Sequence, residues 1–268
     1  MNKYGQNFLN LLEKENHLIE FNQEREIIFN LEKQKFTIPI VELKRENFDT
    51  DLLKNVYNIS LEKAEKTMDF NQNLEERNKK IKIIRQFRGV LAETIVHLYL
   101  HYICKIPINK IKRYDLERET FEYKPQEYDI KLCSNYQNID CYTIEVRSSN
   151  NPYKNIEDYL TKKGIICAYT NNRKATEEIK DISIAIIYKL ADHIGSLRGE
   201  TEEKFFEDFD ENKYTIYFPT HCALKESCYN LSVKTDLGQN NTEYITVPFS
   251  KISDSKYHIK NVISSLKI

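Results

Sequence analysis

Six apolar residues, Ile84, Phe87, Leu91, Ile95, Leu98 and Tyr102, recur at steps of three and four and draw one continuous apolar stripe. That period belongs to a helix with a buried face, so residues 74–104 are expected to form a long helix laid against a core. The segments C-terminal to this stripe limit the fold further. Residues 112–123, 128–132 and 141–146 alternate or carry β-branched runs and read as three consecutive strands. Residues 153–163 have a helical period, with Gly164 expected as the C-cap. Residues 165–169 and 182–188 are nearly continuous apolar runs, the pattern of strands buried on both faces. Helix, three strands, helix, strand predicts an α/β (α+β) domain with a central mixed β-sheet flanked by helices.

The rest of the chain is less specific. Residues 1–80 read as a mostly helical N-terminal region, a support or recognition module, with one short strand at 35–41 where Pro39 favours a sheet edge. Residues 81–191 are expected to be the core. Residues 192–268 form a β-containing C-terminal region, with strand-like runs at 214–218 and 244–247, that can belong to the same domain. With 268 residues, 40% hydrophobic and 30% charged, the chain can bury a sizeable core. Six cysteines occur without a Cys-x-x-Cys pair, and no apolar run reaches the length of a membrane span, so a reduced, cytoplasmic protein is expected. The net charge of −1 gives no overall attraction to a polyanion. Any nucleic acid would have to be met by a local basic patch.

The chemistry concentrates on three acidic residues and one cation. On a strand Glu145 and Arg147 project to the same side while Val146 packs on the other. Asp129 sits in the preceding strand, and if the two strands are neighbours, Asp129 and Glu145 meet as a hard-oxygen site suited to magnesium. Glu93 lies at the edge of the helical stripe. The order helical Glu93, strand Asp129, then Glu145-Val146-Arg147 followed by Ser148 and Ser149 resembles the PD-(D/E)XK, or restriction endonuclease-like, nuclease superfamily over residues 88–190. The chain departs from that pattern in two places: Tyr128 stands where a proline is usual, and Arg147 replaces the lysine.

The resemblance implies a restriction endonuclease-like core and a magnesium-dependent cleavage of double-stranded DNA, most like a type II restriction enzyme, with manganese a substitute and a homodimer expected. It implies that Asp129, Glu145 and the Val146 carbonyl ligate the metal, that Glu93 acts through a water or a second metal, and that Arg147 positions water or stabilises charge. Lys131, two residues after Asp129, is the alternative source of a catalytic cation. A phage or repair nuclease, or a catalytically silent nucleic-acid-binding protein on the same scaffold, would carry the same pattern.

Other readings stay open on the sequence alone. Asp115 followed by Asp129-Ile130-Lys131 is a rival register with the lysine present. Glu93, His97 and His101 fall at successive steps of four and line one helix face, which would suit zinc. The basic segment holding Lys79, Lys80, Lys82, Arg85 and Arg88 would follow a DNA backbone, or simply form a solvated helix face.

Overall fold

A computed structural model describes residues 1–14, 17–66, 77–119, 121, 128–134, 141–170, 177–195, 201–236 and 243–266. The chain opens with α1 (Lys3–Lys14), the hairpin β1 (Arg25–Leu31) and β2 (Gln34–Leu43), and α2 (Thr50–Lys66). Next come α3 (Arg77–Tyr102), β3 (Ile111–Arg113), the single turn α4 (Tyr114–Glu117), β4 (Ile130–Cys133) and β5 (Cys141–Asn150). Then come α5 (Ile156–Lys162), β6 (Gly164–Thr170), β7 (Ile182–Leu190), α6 (Glu202–Asp210), β8 (Tyr214–Pro219) and β9 (Ala223–Leu224). The C-terminal part holds α7 (Lys225–Asn230), β10 (Val233–Asp236), β11 (Glu243–Pro248) and α8 (Ile259–Ser265).

The expected mixed α/β architecture is present. An eight-stranded sheet runs β1-β2-β8-β7-β5-β4-β3, with β9 also paired to β7. Its β3, β4 and β5 pair antiparallel, and β5 and β7 are parallel neighbours joined through α5 and β6. A second sheet, β10-β11-β6, has three antiparallel strands. Strand alternation builds two cores: Ile182, Ile184, Ile186 and Tyr188 of β7 face the helical layer, while Ala185 and Ile187 face α5 and the small sheet. In β5 the same rule sends Ile144 and Val146 toward α3.

Helix α3 is more enclosed than a one-sided stripe predicts. From Val90 to Leu100 every residue is buried, because α2, α6, β3 and β5 all pack around it. Each fully buried Leu, Ile or Val there stabilises the fold by roughly 1.5–3 kcal/mol. Glu93 therefore has no solvent edge to occupy.

Several expectations change. The N-terminal region holds not one short strand but two, β1 and β2. β2 pairs with β8 in the central sheet, and Tyr4, Phe8, Leu52 and Val56 share one core with α3. Pro39 is not on an edge strand either. Its carbonyl accepts the Thr220 N–H at 3.0 Å, so its nitrogen points the same way, just past the last β2–β8 pair at Ile40 and Pro219. No ladder bond is lost there. The strand expected over 112–123 stops at Arg113, because Asp115 turns the chain into α4 to meet Lys63 and Arg118. Residues 122–127 lie outside the described residues. α5 starts only at Ile156, where the Asn155 side chain caps it by accepting the Asp158 N–H.

The cysteines are not all reduced. Cys133 and Cys141 face each other across β4 and β5 with Cα atoms 4.2 Å apart and form a disulfide, a pairing that strand register alone creates. Among the described residues no helix is long and apolar enough to cross a membrane.

Gly164 is not a C-cap. It begins β6 against β11, and a Cβ there would lie 2.4 Å from the Val247 carbonyl oxygen. Gly164→Ala is expected to lower stability by about 1–3 kcal/mol, seen as a lower urea midpoint at unchanged slope; an unaltered midpoint would show that the two strands separate freely.

Candidate active site

The candidate residues lie where β4 and β5 begin to pair. Asp129 immediately precedes β4. Its backbone N–H bonds to the Ile144 carbonyl, and its Oδ2 accepts the Val146 N–H at 2.7 Å. The carboxylate is thus pinned to β5 beside Glu145. The start of β5 is pinned in turn by Asp181, which accepts both the N–H and the hydroxyl of Thr143 at 2.8 Å.

Glu145 and Arg147 share the face of β5 opposite to Ile144 and Val146. Arg147 Nη2 lies 2.8 Å from Glu145 Oε1 and also bonds to Glu177 Oε2, and its guanidinium carbon is 5.3 Å from the Tyr169 ring centre. All three charged side chains keep some contact with solvent, Glu145 least at 14%.

Glu93 reaches the group from α3, under the other face of the sheet. It is 5% exposed, and its Oε2 has Arg113 Nε at 3.7 Å but no hydrogen bond. Arg113 is directed elsewhere, donating to Thr94 Oγ1 at 2.6 Å. Asp115, fully buried, is better served, by Lys63 Nζ at 2.6 Å and Arg118 Nη2 at 3.1 Å. Two cations therefore hold the carboxylate on which the rival register depends.

Burial, followed by repulsion from Glu145, raises the Asp129 carboxyl to about 8, against the Val146 N–H, Arg147 and Lys63. Burial, then Asp115 and Asp129, pushes Glu93 well above the carboxylate range. Glu145 is raised by burial and by Glu177 and Glu93, with Arg147 opposing. Burial alone would lower Arg147 and Lys63, but the surrounding carboxylates outweigh it and raise both. The group thus carries carboxylates whose charge is incompletely offset.

Whether a divalent ion fits can be tested on these groups. Among the described residues no three His, Cys, Asp or Glu side chains are arranged to hold a metal. Magnesium, however, is commonly held by one or two carboxylates, completed by water and phosphate oxygens. Asp129 and Glu145, adjacent and mutually repelling, with the Glu93 oxygen buried and lacking a hydrogen bond, match that donor set.

The remaining sequence candidates fall elsewhere. Lys131 alternates with the core residues Ile130 and Leu132, so it shares Glu145's face, and its Nζ sits 5.5 Å above the Tyr128 ring. His97 is 3% exposed, packs its ring 5.1 Å from Phe8, and has no hydrogen bond on either nitrogen. Burial, with Arg113 and His101, holds it well below the usual histidine range. His101 Nδ1 engages the Ile106 carbonyl at 2.9 Å. The two histidines therefore serve packing and chain termination.

Arg88 does not belong to a basic face. It is buried, stacked 4.6 Å from the Phe205 ring centre and hydrogen-bonded to the Tyr214 hydroxyl, an aromatic cage that keeps it from any phosphate. Lys80 pairs with Glu203, Lys82 is half-buried, and Arg85 is exposed. The Lys79 side chain lies outside the described residues.

Sequence reasoning missed Lys63, Arg113, Arg118 and Glu177. Lys63 and Glu177 stand in ordinary charged stretches, Glu62-Lys63-Ala64 and Glu177-Glu178-Ile179-Lys180, and nothing local marks them. Only Arg113, in a strand-like run, carried a signal, that of a charge alternating with apolar neighbours.

A raised carboxyl has a signed consequence. Below pH about 4 Asp129 is protonated whether folded or unfolded; between about 4 and 8 the folded state keeps a proton that the unfolded state releases, so its contribution to stability falls as pH rises. In chelator-treated protein, Asp129→Asn is therefore expected to be more stable than the parent at pH 8, by on the order of 1–3 kcal/mol, and nearly equal to it at pH 4. Thermal melts at the two pH values read the difference; equal stability at pH 8 would mean that Asp129 is ionised without penalty.

No protein-family model matches this chain, and no solved structure matches it. A curated protein of Methanocaldococcus jannaschii, named "Uncharacterized protein MJECS01", is 27% identical over 243 residues, covering 83% of this chain and 84% of its own. The similarity thus runs through nearly all of both chains rather than through one shared module.

Proposed function

We propose that this chain is a magnesium-dependent endonuclease that hydrolyses phosphodiester bonds in double-stranded DNA, a cytoplasmic, sequence-specific enzyme of the type II restriction kind on a restriction endonuclease-like core. The observation that carries this reading is the Asp129 carboxylate fixed to the Val146 N–H, with Glu145 and Arg147 beside it on the neighbouring strand. It is supported by the order around that pair: helix α3, antiparallel β3, β4 and β5, helix α5, and β7 parallel to β5.

In this reading Asp129, Glu145 and the Val146 carbonyl hold Mg2+, with Mn2+ as a substitute, and Glu93 contributes through water. The ion would polarise the phosphate and lower the pKa of the attacking water. Arg147 stays protonated, so it orients that water or offsets the negative charge that grows at phosphorus, and it does not accept the proton. Lys131, on the same face, is the alternative cation for that task. Lys79, Lys80, Lys82 and Arg85 are the proposed backbone contacts on α3; the buried Arg88 is not one of them. Two active sites are needed to cut both strands in one encounter, so a homodimer is part of the proposal.

A second reading keeps the scaffold and the DNA but not the cleavage. It is favoured by Arg147 itself, which stands where the resembling family has a lysine and whose guanidinium is already shared between Glu145 and Glu177.

Incubation of the purified chain with plasmid and genomic DNA in Mg2+ or Mn2+ separates the two. Cleavage is expected, with Asp129→Asn and Glu145→Gln each slower by about a thousandfold, and sequencing of the fragment ends should give one recognition site. DNA binding without cleavage in either metal would favour the silent protein, and neither binding nor cleavage would dispose of both readings.

A further inference from the structure

Arg147 stands beside the carboxylates proposed to hold the metal. One guanidinium nitrogen, Nη2, bridges two carboxylates, Glu145 at 2.8 Å and Glu177, while the planar group lies by the Tyr169 ring. Glu177 is itself anchored, its backbone N–H donating to the Tyr169 carbonyl at 3.1 Å, so ring and carboxylate are presented together from the end of β6.

A divalent ion between Asp129 and Glu145 would meet a competitor. Arg147 occupies Glu145 Oε1, so guanidinium and ion compete for the same carboxylate, and they repel each other at short range. If Glu145 were its only partner, loading would leave a half-buried guanidinium with no counter-charge, which opposes loading. Glu177 removes that obstacle, because Arg147 can keep one carboxylate while releasing the other. Arginine suits this arrangement better than lysine, since its planar group can lie against the Tyr169 ring while Nη2 reaches both carboxylates.

We propose that Glu177 is the positioning residue of this site: it holds Arg147 so that Glu145 can pass from the guanidinium to a divalent cation. The proposal rests on the nuclease reading above. In the free protein Arg147 acts as the stand-in cation for Glu145, and in the loaded protein Glu177 keeps it beside the scissile phosphate.

The test is Mn2+ binding to the full-length protein without DNA, by calorimetry and by the electron paramagnetic resonance signal of free Mn2+. It compares the parent with Glu177→Gln, Glu177→Asp, Arg147→Gln, the Glu177→Gln/Arg147→Gln double variant and Asp129→Asn. Glu177→Gln should weaken binding about tenfold, the effect of turning one charge-assisted hydrogen bond back onto Glu145, with Glu177→Asp between it and the parent. In the Arg147→Gln background the same change should have no effect. Circular dichroism on each variant keeps loss of fold from being read as loss of affinity, and Glu177→Asp serves if Glu177→Gln does not fold. Parent-like affinity in both Glu177 variants, or an equal weakening in the Arg147→Gln background, would overturn the proposal while leaving the nuclease reading intact. Absence of Mn2+ binding by the parent, or binding that survives Asp129→Asn, would overturn both.

Discussion

Four carboxylates, Glu93, Asp115, Asp129 and Glu145, are sunk where α3, α4, β4 and β5 meet, and the fold around them is arranged so that none stands alone. An isolated buried carboxylate costs several kcal/mol. Here Asp115 has Lys63 and Arg118, Glu93 has Arg113 within 3.7 Å, Glu145 has Arg147, and Asp129 has the Val146 N–H. The partners come from α2, β3, the turn after α4, and β5. Compensating these charges therefore ties α2 to the strands and halts β3 after three residues. It accompanies the packing of α2 into the core, where Lys63 reaches Asp115.

The compensation is uneven, and the unevenness has chemical content. Asp115 is the best served, and the net effect of its surroundings holds its carboxyl below the ordinary value despite burial. Asp129, Glu93 and Glu145 are all raised, each partly by another member of the group. A well-paired carboxylate and three incompletely offset ones thus sit side by side, told apart by how completely each charge is met. The proposed nuclease function draws on the second and is supported in place by the first.

The bridge from Glu145 through Arg147 to Glu177 connects the central sheet to the small β6–β11–β10 sheet. Tyr169 of β6 also lies against Tyr244 of β11, with ring centres 6.1 Å apart. The small sheet thereby stands beside the site as a wall rather than as a detached C-terminal feature. Gly164, at the other end of β6, lets β11 approach closely enough to form it.

Periodicity alone was enough to place α3, β4, β5, β7, β8 and β11, because an apolar stripe or a continuous β-branched run states which face must be buried. It also brought Asp129, Glu145 and Arg147 forward as a group, since strand alternation is a local rule. Of the β1–β2 hairpin, β2 was legible as the strand expected over 35–41, but β1 and the turn were not. Its turn uses Glu32 and Lys33 at φ of 48° and 68°, without the glycine or asparagine that announces such a turn. Partners of buried charges were equally hidden: Lys63, Arg118 and Glu177 look like surface residues in sequence, and Arg88 looks like a DNA contact. Local sequence sets what each segment prefers to bury, but which cation faces which carboxylate depends on contacts between residues tens of positions apart. Only the packed tertiary structure, where leaving a charge unmatched is costly, decided those.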